Sequence, residues 1–569
     1  MFMQPCLKYL SSFLKRKIIY RHIFAPDKKQ VFNPLANLFN IMKLLKIYFI
    51  LAFSMIQFVQ LNARPVYNIT DFGAIADGKT LNTKSIQKAI DTCAAKGGGQ
   101  VLIPNGCYLS GTIKLKSNVT LYLEPSAILL GSPEYDDYEW EKYDVEAGAR
   151  RRSLIHAQNV ENVSIEGHGT INGNGGHANF QSDNPFGGIG GGVRPFPISI
   201  SHSKYVNLRD IKVKDGAFWD IKIDACQYVN IDGISVHSHI VANNDGIDIV
   251  DCKNVRISNC DIDAGDDGIC LKSNTKKGID NVVITNCIVR SQSNAIKFGV
   301  ASKGGFRNVT VSNCAVYDTR LSGIALEMVE GGVMDRIIID NIVMHNANGS
   351  LFIKSGRKKG FEATTFKNII ISNIIADGIG EWKPDKSAGY FKPEKDQRIG
   401  ITITGQEDCI VENVSISNVH LEFAGGGTEN DAKREFIDTK KNGYPEYDNF
   451  GITPAYGINC QYVNNIRFSN IVLDYKDSDA RPAFYFENSE NVCLDRISAK
   501  VSKKAPAYIR FKNQRGAFIT NSRPMSADIP FCSFEGLVKN ISFKGNEFSK
   551  IKQIFVTDKQ VSPENILID

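Results

Sequence analysis

The chain has 569 residues, 43% of them hydrophobic and 22% charged. That profile belongs to a folded protein and excludes a disordered or collagen-like one. The formal charge of +6 misleads, because residues 1–63 hold nine of the 67 Lys/Arg and one of the 61 Asp/Glu. Without that segment the chain is slightly acidic, and the electrostatic case for binding nucleic acid disappears.

Residues 1–63 read as a leader. Met42-Lys43-Leu44-Leu45-Lys46 is a short basic start, and Ile47 to Val59 is an apolar run of signal-peptide length. Translation is expected to begin at Met42, with cleavage after Ala63 and an exported mature protein: periplasmic, cell-surface or secreted. The run is short for a stable membrane span.

Next comes a cap region, 64–117. Thr83 to Ala95 places Ile86, Ala89, Ile90 and Cys93 on one helical face, and Gly97-Gly98-Gly99 ends it. A lone amphipathic helix ahead of a repeat predicts a cap over the repeat's open end.

From 118 to 569 one pattern recurs: a polar residue, alternating apolar residues, Asn or Asp, then more apolar residues. Val206, Val229, Val255, Val282, Val309 and Ile337 mark copies 23 to 28 residues apart. Period-2 strands separated by turns cannot bury their inner face alone, so the copies must stack as a parallel β-solenoid. Asn259, Asn286, Asn313, Asn341, Asn373, Asn418 and Asn470 share one phase, which suits a left-handed turn residue. Cys260, Cys287 and Cys314 occupy the next phase and read as small stacked core residues. No CxxC pair suggests zinc.

Acidic residues cluster in two neighbouring copies, as Asn243-Asn244-Asp245-Gly246-Ile247-Asp248 and Gly265-Asp266-Asp267-Gly268. Asp245 and Asp266 are one coil apart, so stacking brings three carboxylates together. Folding alone has no use for such repulsion. Paired carboxylates suit glycoside hydrolysis, one giving a proton and another activating water. Calcium binding is the other use of such a cluster.

These segments, with VYNITDFGAIADGKTLNTKSIQKAIDTC from Val66, GGGQVLIPNGCYLSGTIKLKSNVTLYLE, and Arg194-Pro195, resemble glycoside hydrolase family 28, the polygalacturonase and rhamnogalacturonase family. The resemblance covers nearly all of the mature chain. It implies an all-β fold, a right-handed parallel β-helix with the N-terminal helix as its cap. It also implies inverting cleavage of a galacturonate-containing pectic polysaccharide or oligosaccharide. A monomer is expected, and the sequence carries no motif that calls for a metal or cofactor. Asp266 would be the general acid, Asp245 and Asp267 would hold and activate water, and Asn243 and Asp248 would shape the site.

The chain departs from the family's polygalacturonases at two motifs. Asn294 stands where a Gly-His-Gly histidine is expected, and Ala325-Leu326-Glu327 stands where an Arg-Ile-Lys motif binds the substrate carboxylate. Glu327 would repel a galacturonate bound in that way. Lys272 and Lys297 are the replacement cations expected on the cleft side. These departures point to a rhamnogalacturonan-acting or exo-acting enzyme. The loops 186–194, 382–396 and 425–449 are expected to border the cleft, with Trp219, Trp382, Tyr390, Phe391, Tyr444 and Tyr447 as sugar-stacking candidates. The alternatives are a pectate-lyase-like polysaccharide lyase and a non-catalytic glycan-binding solenoid.

Overall fold

Strand after strand pairs in parallel with the strand one coil away, and this ladder organises the whole molecule. The computed structural model describes residues 42–48, 65–140, 152–180, 194–384, 398–524 and 528–568. The expected signal segment lies largely outside the described residues, as do Tyr390, Phe391 and most of the loop 186–194. Among the described residues no helix is long and apolar enough to cross a membrane. Arg64–Asp569 forms one compact unit, a parallel β-helix.

The earlier coils contribute three short strands each, and from Phe306 onward these run together into longer ones such as Phe306–Met328. Inward-pointing residues stack on like residues above and below: Ile221, Ile247, Ile269 and Ile296 align and are all 0% exposed. Burying each such side chain contributes roughly 1.5–3 kcal/mol. The residues between them point outward and form a second column: His156, Ser199, Lys222, Asp248, Cys270, Lys297, Ala325 and Phe352. This outward column is itself covered, its residues being 0–8% exposed.

The helix Thr83–Ala95 buries Ile86, Ala89, Ile90 and Cys93, as its apolar spacing predicts. Strand pairing already begins at Val66–Asn68, which pairs with Gly99–Ile103 and through it with Val119–Leu123. The helix therefore covers coils that start before residue 118. The turn asparagines adopt the expected left-handed backbone, with φ of 57° at Asn341 and 54° at Asn313. Their amides bond along the axis, Asn341 to Asn313 at 2.7 Å and Asn470 to Asn418 at 3.0 Å. Cys260, Cys287 and Cys314 are buried free thiols.

Candidate active site

The three aspartates sit on turns that lead into strands Ile247–Val250 and Ile269–Ser273. Ile247 pairs with Ile269 and Ile269 with Ile296. Counting back two residues aligns Asp245, Asp267 and Asn294 as one stacked row, with Asp266 in register with Asn244. The turns are tied together through their backbones: Gly246 N donates to Asp267 O and Gly268 N to Asn294 O, both at 2.9 Å. A side chain at Gly246 or Gly268 would meet the next coil's carbonyl at 2.6 Å, so only glycine permits this spacing. Asn244 builds the first turn. Its side-chain oxygen accepts from Ile240 N and Val241 N, and its amide donates to Gly216 O and Phe218 O.

Each of the two stacked carboxylates has a lysine. Lys272 Nζ lies 3.1 Å from Asp245 Oδ2 and also contacts Asp248. Lys297 Nζ lies 3.2 Å from Asp267 Oδ2 and 3.4 Å from Glu327 Oε2. Asp267 Oδ1 accepts both the backbone N–H and the side-chain amide of Asn294, each at 3.1 Å. Asp245 and Asp267 are buried, while Asp266 is partly exposed.

Burial pushes Asp245 well above the usual carboxylate range, against the pull of Lys272. It raises Asp248 to about 6, again opposed by Lys272. Burial works to lower Lys272, but Asp248 and Asp245 hold it well above its ordinary value. Carboxylates outnumber cations here, so the group holds its protons tightly. Burial likewise raises Glu327, which Lys297 opposes.

Of the six expected substrate-contacting residues, four are enclosed, Asn294 among them at 1% exposed. Asp248 and Glu327 are 0% exposed and Lys297 is 1% exposed. Glu327 therefore faces Lys297 beneath the site and does not confront a bound sugar. Asn243 accepts from Arg194 at 3.0 Å, and that guanidinium also donates to Ala242 O. Arg194 was visible in the sequence only as half of an Arg-Pro pair; nothing there linked it to a turn 49 residues later.

Among the expected aromatics, Trp219 stands beside the site. Lys272 Nζ is 4.1 Å from its ring centre, and Phe218 stacks behind it. Trp382 and Tyr447 are buried at 3% exposed and offer no ring face to a sugar. Tyr444 reaches in from the insertion between strands Val411–Gly425 and Ile458–Gln461, its hydroxyl accepting from Lys297 at 3.1 Å. That insertion is anchored by an apolar cluster of Phe436, Tyr447 and Phe450 with Leu321, Phe352 and Tyr485.

The chain is similar to a probable polygalacturonase of Vitis vinifera, 32% identical over 219 residues that cover 36% of this chain and 44% of that one. An exo-poly-alpha-D-galacturonosidase of Dickeya chrysanthemi is 41% identical over 120 residues, 19% of this chain and 20% of that one. The matches thus span less than half the length of either relative. The fold is that of an exopolygalacturonase from Thermotoga maritima, with a TM-score of 0.57, 21% identity, and coverage of 72% of this chain and 92% of the other. The sequence profile of glycosyl hydrolases family 28 matches residues 93–430, more than half of the chain, and the protein belongs to that family.

Proposed function

We propose that the protein is an inverting glycoside hydrolase that cleaves a galacturonate-containing pectic polysaccharide. The observation that carries this reading is the convergence of Asp245, Asp266 and Asp267 from two adjacent turns, with a lysine on each of the two stacked members. Asp266, partly exposed, gives its proton to the leaving glycosidic oxygen. Asp245 and Asp267 hold a water between them and take its proton as the water attacks the anomeric carbon from the opposite face. Lys272 and Lys297 favour the ionised forms that this role needs. Asp248, Lys297 and Glu327 act as positioning residues beneath the site, and Asn243 and Lys272 line it. The family membership and the names of the two relatives support the substrate class, and action on pectin fits an exported protein with a cleaved leader.

The finer reading is attack at a chain end. Tyr444 and its insertion stand over the outward column at Lys297, on the C-terminal side of the aspartates. A polymer lying along the column meets this wall, which leaves room for an end but not for a continuing chain.

Digestion of homogalacturonan and rhamnogalacturonan side by side tests both readings. Saturated products of inverted anomeric configuration, released singly from homogalacturonan, are expected. Unsaturated products would make the protein a lyase, and a ladder of long oligomers at early times would overturn chain-end attack.

A further inference from the structure

Three side chains with metal-binding atoms meet at one point on the strands that lead into the catalytic turns. His237 and His239 form a His-x-His pair at the end of strand Ser235–Ser238. Residues two apart on an extended backbone leave on the same face. Such a pair alone calls for no metal; the third donor comes from the next coil. The strand pairs in parallel with Asp261–Ala264, which sets Asp263 directly opposite His237. His237 Nδ1 lies 2.9 Å from Asp263 Oδ2, and His239 Nε2 contacts Asp263 Oδ1. One donor atom of each residue lies within 4.8 Å of those of the other two. Donors around a tetrahedral zinc, with bonds of about 2.0–2.2 Å, stand about 3.4 Å apart. Small side-chain adjustments bring the three to that distance.

The surroundings suit a ligand set. Gln292, 3% exposed, hydrogen-bonds His239 Nδ1 at 3.0 Å, the outer contact that orients a ligating imidazole. Arg290 Nη1 lies 3.2 Å from Asp263 Oδ2 and aims the carboxylate. A ladder of ion pairs along the sheet would account for Lys214, His237, Asp263 and Arg290, which follow one another in register. It does not account for His239, which lies past the strand's end and still brings a nearly buried ring onto the same carboxylate. His237 is 63% exposed, so the outer side is open to water as a fourth ligand.

We propose that His237, His239 and Asp263 form a binding site for a borderline divalent transition metal, with zinc as the expected ion. Two imidazoles and one carboxylate select zinc, nickel or copper over calcium and magnesium, which prefer oxygen ligands. His239 stands five residues before Asn244, and Asp263 three before Asp266. Gly265 N donates to Ser238 O at 2.7 Å, so the two coils are already close there. A bound ion joins the coil of Asp245 to the coil of Asp266 and Asp267. Through Gln292 it also reaches the coil of Asn294. The ion braces the turns that carry the carboxylates, and its binding energy adds to folding.

The test uses the untagged full chain, stripped with EDTA, desalted and titrated calorimetrically with zinc chloride. One equivalent is expected to bind and to raise the thermal midpoint. His237→Ala removes an exposed ring, and melting without zinc checks that it folds. It should weaken zinc binding by at least about tenfold, and Gln292→Ala by about tenfold. Cobalt(II) supplies a second readout: visible absorption bands without a thiolate charge-transfer band, since the buried free thiols are the rival ligands. Zinc binding weaker than about 1 mM would overturn the site. So would binding unchanged in His237→Ala, a thiolate band, or calcium bound as tightly as zinc. None of these readouts needs turnover, so the result stands apart from the pectic reading.

Discussion

Asn294 donates two hydrogen bonds to a single oxygen of Asp267, one from its backbone and one from its side chain, each 3.1 Å long. The same side chain accepts from Ser322 N through its oxygen at 3.1 Å. The amide is thereby locked in one orientation, and Asp267 Oδ2 is left to face Lys297. Two donors on one oxygen favour the ionised form of the Asp267 carboxylate. Asn294→Ala keeps the backbone donor and is expected to lower kcat about tenfold, with KM moving less. Asn294→Asp sets a second carboxylate against Asp267, forces the two to share a proton, and is expected to cost a hundredfold or more, on the order of a full acid–base contribution. Steady-state kinetics on the two variants would separate the cases, and equal activities would refute the role.

Asp245→Asn, Asp266→Asn and Asp267→Asn are each expected to reduce turnover by about a thousandfold or more. The thermal midpoint should hold or rise, because each change relieves repulsion in a crowded acidic group. Substantial activity in any one of them would remove that residue from the proposed mechanism.

Lys272 pulls both Asp245 and Asp248 down against burial. If Asp245 must be ionised to activate water, activity falls as pH drops through the titration of this coupled pair, which burial has moved above the usual carboxylate range. Lys272→Met removes the cation, raises both carboxyls further and should move the acidic limb of kcat/KM to higher pH. A limb that stays put or moves down would contradict the pairing.

Glu327 shares Lys297 with Asp267. In Glu327→Gln the ammonium is left to Asp267 alone, which stabilises its ionised form and makes it a weaker base. The acidic limb should move to lower pH, and kcat should fall roughly threefold to tenfold. Glu327→Lys, which would match the family's motif, sets two buried ammonium groups together. Its expected outcome is a loss of about 3–5 kcal/mol of stability, read by urea unfolding, and no gain of activity on homogalacturonan.

Asn341 holds a φ of 57° and bonds to Asn313 at 2.7 Å. Asn341→Ala should cost about 1–2 kcal/mol, and Asn341→Gly distinctly less, since glycine tolerates the left-handed backbone. Chemical denaturation of the pair would show whether conformation or the axial hydrogen bond matters more.

The repeat and the cap helix were legible because each rests on local periodicity: alternation of two in the strands, and the spacing of Ile86, Ala89, Ile90 and Cys93 in the helix. The clustering of the aspartates followed from the coil length. The row Asp245–Asp267–Asn294 was not legible, because coils of 22 and 27 residues share one register only after their loops are subtracted. The orientation of Glu327 was hidden for a different reason. A strand residue's partner lies on the next coil or on an insertion, and Tyr444 meets Lys297 across 147 residues. Aligning Glu327 with a substrate-binding motif gives its position along the chain, but burial decides what it touches.

The insertion that carries Tyr444 enters and leaves the ladder at strands that keep their pairing with the coils on either side. A turn can therefore lengthen without shifting any residue of the ladder. Substrate choice and chemical competence become separately adjustable: wall height is set by loops, and the reacting groups by coils that need not move. Trimming one loop would change what stands over Lys297, with Asp245, Asp266 and Asp267 left where they are.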